Sequence, residues 1–176
     1  MRALLGVCLF AFFTATSFAV DPEWGEAVNG LSVSLSIVPA ETGKHPAEAA
    51  VQFSIRNSGR GDASVPIGLL MNARKVPGSF SLVSRDSDGV LRAVVYTGIN
   101  GFEGTIHAWT GKLHPMETFT FREPVISYGR LATVLLEHGE LWAEFRPQRG
   151  PDPTRDDCPG FCWAGTAFSN ILKMPQ

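Results

Sequence analysis

The sequence predicts an all-β fold of antiparallel strands, and three observations carry that prediction. The 18 glycines and 12 prolines punctuate the chain at short intervals. The runs between them are rich in Ser, Thr, Val and Phe and alternate apolar with polar residues, which is how half-buried strands read. Asp88-Gly89 stands between two apolar runs, the strongest short-range sign of a hairpin. The chain carries no internal repeat, heptad pattern or low-complexity tract that would point to a solenoid or a coiled coil.

Residues 31–37 give the clearest strand. Strict alternation puts Leu31, Val33, Leu35 and Ile37 on one buried face and the serines on the other. Pro39 and the Glu41-Thr42-Gly43-Lys44 stretch end it. Val51, Phe53 and Ile55 repeat the pattern, and Asn57-Ser58-Gly59-Arg60-Gly61-Asp62 is a turn. Val65, Ile67 and Leu69 make a third strand. Pro66 inside it demands an edge position or a bulge, because proline donates no N–H to a ladder. Residues 79–84 and 90–96 flank the Asp86-Ser87-Asp88-Gly89 turn, and the Gly-rich residues 97–115 read as irregular. Residues 117–122 alternate again with Phe119 and Phe121 inward. Residues 131–137 are either a short helix stopped by Gly139 or a strand end and a turn. Residues 140–145 place Leu141, Ala143 and Phe145 on one face. Residues 146–157 form a polar loop with three prolines, Pro147, Pro151 and Pro153. Residues 163–172 close the chain as a last strand, with Phe168 and Leu172 expected in the core. The sum is an immunoglobulin-like antiparallel β-sandwich of seven to nine strands with at most one short helix.

The N-terminus reads as a secretory leader. Arg2 precedes an apolar run from Leu4 to Phe13, and Ser17 and Ala19 are small residues placed for cleavage after Ala19. The competing reading is an uncleaved membrane anchor, but the run is shorter than the ~20 residues a bilayer span needs. Residues 20–176 are then a single domain, secreted or periplasmic, with no membrane span after cleavage. Loss of Arg2 takes the 15 basic residues to 14 against 17 acidic ones, a net charge of 14 − 17 = −3. That balance disfavours nucleic acid and anionic membrane as partners.

Cysteine usage fits export. Cys8 leaves with the leader, and Cys158 and Cys162 remain as an even pair. Pro159-Gly160 between them makes a turn that can bring the sulfurs together, so a disulfide is expected. A loop this short removes little chain entropy and shapes a loop more than it holds a fold. The rival readings are a metal pair, which wants four ligands, and a redox pair, which wants a two-residue spacer where this chain has three residues.

No constellation commits the chain to a reaction, so no catalytic residue, cofactor or metal ligand is assigned and the expectation is a non-enzyme. The four histidines, His45, His107, His114 and His138, are scattered, and no Gly-x-Ser-x-Gly elbow is present. Arg60-Gly61-Asp62 is the adhesion tripeptide on a turn, set against ordinary turn chemistry. Asp86-Ser87-Asp88-Gly89 hints at calcium but lacks the flanking acids of a calcium loop, with Ser84 and Val95 in their places. Trp24, Trp109, Trp142 and Trp163 are divided between core and surface roles. Trp109 and Trp163 stand beside Gly in loop-like surroundings. With Phe161 they are the candidate partner-binding residues.

Several segments carry a resemblance. Trp24-Gly25-Glu26-Ala27-Val28-Asn29-Gly30-Leu31-Ser32-Val33 resembles the opening of Ig-like domains in exported and membrane-linked bacterial proteins. Phe53-Ser54-Ile55-Arg56-Asn57-Ser58-Gly59 looks like their second strand, and Ser169-Asn170 resembles the start of their last one. Phe80-Ser81-Leu82 with Asp86-Ser87-Asp88-Gly89 is similar to their middle hairpin, and also to the bacterial intracellular proteinase inhibitor family, another small Ig-like β-domain. The export leader and the insert at 146–162 depart from that inhibitor family. The resemblance implies a fold more than a function. The functional expectation is a non-catalytic exported Ig-like binding or structural module acting on a protein or cell-envelope component. The alternatives are a secreted proteinase inhibitor, using residues 98–111 or the cysteine loop, and a carbohydrate-binding module using Trp109 or Trp163.

Overall fold

The computed structural model describes residues 22–39, 49–71, 74–97, 106–136, 139–147 and 162–174. In chain order its strands are β1 (Leu31–Pro39), β2 (Ala49–Asn57), β3 (Ala63–Met71), β4 (Arg74–Val76), β5 (Phe80–Asp86), β6 (Leu91–Val94), β7 (Ile106–Leu113), β8 (Thr118–Pro124), β9 (Gly139–Phe145), β10 (Ala167–Phe168) and β11 (Leu172–Lys173). The fold is all-β, in three antiparallel sheets. The first runs β1-β2-β8, the second β10-β9-β5-β6 with β11 also on β9, and the third β4-β3-β7. A 3-10 turn (Val125–Ser127) and one helical turn (α1, Leu131–Val134) lie between β8 and β9.

Alternation builds the first two sheets as expected. Leu31, Val33 and Leu35 of β1 and Val51, Phe53 and Ile55 of β2 are all buried. The register sets Leu35 opposite Phe53, and Phe53 opposite Phe121, in one apolar row. The second sheet answers with Phe80 and Leu82 of β5 and Leu141, Ala143 and Phe145 of β9, also buried. The two faces meet ring to ring. Phe53 lies 4.8 Å from Phe80 between centroids, and Phe80 lies 4.8 Å from Phe145. Each such side chain contributes about 1.5–3 kcal/mol by leaving water. The Asp86-Ser87-Asp88-Gly89 hairpin forms between β5 and β6, with Gly89 at φ +81°.

The third sheet shows how the chain accommodates Pro66. The β3–β7 register shifts between Pro66 and Gly68, which is a bulge. On its other side β3 pairs β4 only over Leu69, Leu70 and Met71, so no ladder N–H is asked of Pro66 there. The Ser79 hydroxyl donates to the Pro66 carbonyl at 2.8 Å and ties the bulge to the start of β5.

Three expectations are corrected. Part of the irregular 97–115 stretch is a strand, β7, because β3 offers a paired edge and Gly111 leaves room for Ile67; a Cβ there would come within 2.7 Å of the Ile67 side chain. The last strand is broken in two. Ser169 interrupts the ladder by accepting the Ala143 N–H on its hydroxyl at 2.8 Å. In consequence Ala167 is the core residue, Phe168 is 46% exposed, and Leu172 is half-buried. Trp163 is buried, packs tilted against Phe145 at 5.4 Å between ring centroids, and its indole N–H donates to the Val28 carbonyl at 3.0 Å. It offers no free ring face to a partner.

Candidate binding groove

The outward face of the first sheet is set by the same alternation that fills the core. Every residue between the apolar ones points away from it. The register lines these up in three rows: Ser32–Arg56–Thr118, Ser34–Ser54–Thr120 and Ser36–Gln52–Arg122. The result is a nine-residue grid with no apolar member. Ser54 and Thr120 hydroxyls lie 2.8 Å apart, and the Arg122 Nε–H donates to Gln52 Oε1 at 2.8 Å. Ser34 and Ser54 are small and lie at the floor, each only 3% exposed.

The segment before β1 makes one wall. The Gly25 N–H donates to the Val33 carbonyl at 2.9 Å, along the edge of β1 away from β2. This holds Trp24 beside the grid, with the Arg56 guanidinium 4.4 Å over its ring centroid, a cation–π contact. Asn170 lies further along the same edge. Its amide accepts the Leu35 N–H at 2.8 Å and donates to the Leu35 carbonyl at 3.1 Å. Both bonds blunt the free edge of β1, which would otherwise invite another strand. Beside this edge lies an open cavity of about 830 Å³, floored by Ser34, Ser54 and Thr120 and lined also by Val38 and Leu172.

Its electrostatics centre on Arg56. Four described cations have carboxylate partners: Arg85 with Glu140, Arg92 with Asp86 at 3.3 Å, Lys112 with Asp62 at 2.7 Å and Arg146 with Glu144 at 3.2 Å. Arg56 forms no ion pair among the described residues, and its buried Nε–H has no hydrogen-bond acceptor. Glu23 is the acid that lines the cavity. No protein-family model and no curated protein matches this chain. The groove has to be read from its own chemistry.

The residues expected at a site lie elsewhere. Trp109 is half-buried on β7, edge-on to Phe119 at 5.5 Å, with Lys75 4.9 Å over its ring. Phe161 and Cys158 fall outside the described residues, whereas Cys162 is described and bridges Ser64 of β3. The Arg60-Gly61-Asp62 turn is exposed, but its carboxylate is occupied by Lys112 and, at 2.9 Å, by His114 Nδ1. Those hydrogen bonds, Lys112 first, hold the Asp62 carboxyl below its usual range. Asp86 spends one oxygen on the Val90 and Asp88 N–H groups, at 2.8 and 3.1 Å, and turns the other to Arg92. That is hairpin chemistry. Among the described residues no three His, Cys, Asp or Glu side chains gather where a metal ion would bind. Burial pushes the Tyr128 phenol far above its ordinary range, so it is a neutral core group.

Sequence reasoning gave Trp24 and Arg56 no site role. Both stood inside motifs with a structural resemblance, 32 positions apart in the sequence. Nothing in their spacing announces that β1 and its lead-in would bring them together.

Proposed function

We propose that this chain is an exported, non-catalytic binding module of immunoglobulin-like sandwich build, acting on a protein or cell-envelope component through the outer face of its first sheet. The single observation that carries the reading is the groove: an open cavity of about 830 Å³ lined by hydroxyl and amide side chains, by Arg56 against Trp24, and by Val38 and Leu172. Rigid strands position such a surface better than loops do. The strand pairing supports the Ig-like assignment. A β1-β2-β8 layer faces a β6-β5-β9-β10 layer, with β3, β4 and β7 as an added third sheet, and Ig-like sandwiches share that two-layer plan. The leader at 1–19 supports export. In an oxidising compartment Cys158 and Cys162 close a disulfide.

The test is site-resolved crosslinking of the leader-free chain in the exported fraction of its own source. A photoreactive side chain at Ser36 or Thr118 is expected to yield a defined adduct, and the same probe at Leu91, on the second sheet, none. Adducts from Leu91 alone, or none from the groove, would overturn the assignment of the binding face.

A further inference from the structure

We infer that the groove takes a carboxylate-bearing polysaccharide, with Arg56 as the group that receives the carboxylate. The inference rests on the groove being the binding face, and names its ligand. Arg56 is the argument's centre. A guanidinium is a planar fork of five N–H donors that matches a carboxylate in two parallel hydrogen bonds. The guanidinium carbon lies 4.4 Å from the Trp24 ring centroid, a contact that uses the cation's charge and none of its N–H donors. Nothing among the described residues answers it, and the Nε–H is both buried and without an acceptor. Among the described residues Arg85, Arg92 and Arg146 each have a carboxylate partner and Arg56 has none.

The rest of the surface selects a sugar. Ser34, Ser36, Thr118 and Thr120 line the cavity, and each hydroxyl both donates and accepts, as sugar hydroxyls do. The strands lie ~4.8 Å apart, so three of them present hydroxyl rows across a width suited to a linear chain lying along the groove. A peptide fits less well. Peptides add to a sheet through an open edge, and here the floor is a sheet face whose backbone is already paired, while Gly25 and Asn170 occupy the open edge of β1. A phosphodiester polymer wants many cations, and the grid supplies only Arg56 and Arg122.

The experiment is calorimetric titration of the leader-free chain with trigalacturonate and with its methyl ester, which keeps every hydroxyl and removes the charge. The acid is expected to bind at least tenfold more tightly than the ester. Arg56→Gln should abolish that difference and Arg56→Lys should restore part of it. Leu91→Ala, on the far sheet, should change neither, and thermal melts check that each variant folds. Equal binding of acid and ester, both lost in a Thr120→Trp variant that fills the groove, would overturn the carboxylate assignment and leave the groove standing as a binding face. No binding of either sugar, with a protein adduct from Ser36 or Thr118, would overturn the polysaccharide class alone. No sugar binding and no groove adduct would overturn both.

Discussion

Asn170 shows how much one side chain does in this fold. Its amide copies the donor and acceptor of a passing strand and satisfies both backbone groups of Leu35. It thereby pins the interrupted last strand to the first sheet. Replacing it by alanine strands a partly buried N–H and C=O, each costing about 1–3 kcal/mol when left unmade. Asn170→Ala is expected to destabilise the domain by about 2 kcal/mol in urea titration; a loss under 0.5 kcal/mol would show that water takes over both bonds. Ser169-Asn170 stood out in the sequence only for its resemblance to the start of a last strand. Its target was not visible there, because Leu35 lies 135 residues away. Trp163 teaches the same lesson in reverse. Its glycine-rich surroundings read as a loop, yet the Val28 carbonyl accepts its indole N–H and Phe145 covers its ring.

At the level of elements, alternation was a good guide where it was strict and failed where packing supplied the order. β1, β2, β5, β8 and β9 fall where the pattern puts them. β7 does not, because His107, Trp109 and Gly111 obscure the period, and it becomes a strand by pairing with β3. Strand preference is largely a property of neighbours. The bulge in β3 was half legible. Pro66 required an edge or a bulge, and the bulge brings Gly68 under the Val76 carbonyl so closely that a Cβ would overlap it. Gly68→Ala is therefore expected to cost about 1–3 kcal/mol through overpacking, read as a lowered thermal midpoint. Because Gly68 lies on the third sheet, ligand binding at the first should survive. An unchanged midpoint would mean that the β3–β4 connection yields freely.

At the scale of the whole molecule, several described carboxylates sit in surface ion pairs that respond to acid. The Asp86 carboxyl lies below its usual value, chiefly because the Val90 N–H bonds its charged form, with Arg92 and Asp88 adding to this. Asp62 is lowered by Lys112 and then His114. A carboxyl depressed in the folded state adds stability above its unfolded pKa, ~3.9 for aspartate, and loses it as pH falls through the folded value. The thermal midpoint should therefore hold from pH 7 to pH 5 and then decline toward pH 2. Asp86→Asn is expected to flatten part of that decline. An identical acid limb in the variant would assign the sensitivity to other carboxyls. These pairs are screened by solvent and salt, so they tune the pH response while the shared aromatic core holds the sheets together.

By itself the sequence determined the all-β class, the inward residues of the regular strands and the hairpin at Asp88-Gly89. Each of these follows from near neighbours: a period of two, a turn that needs positive φ. It also determined that the outward face of β1 and β2 would be polar. Only the tertiary structure decided that β8 would complete that face in register, that the lead-in would set Trp24 under Arg56, and that Asn170 would close the edge. Those contacts join residues 32 to 135 positions apart. They depend on how sheets stack and which edges remain open, and no local pattern encodes that.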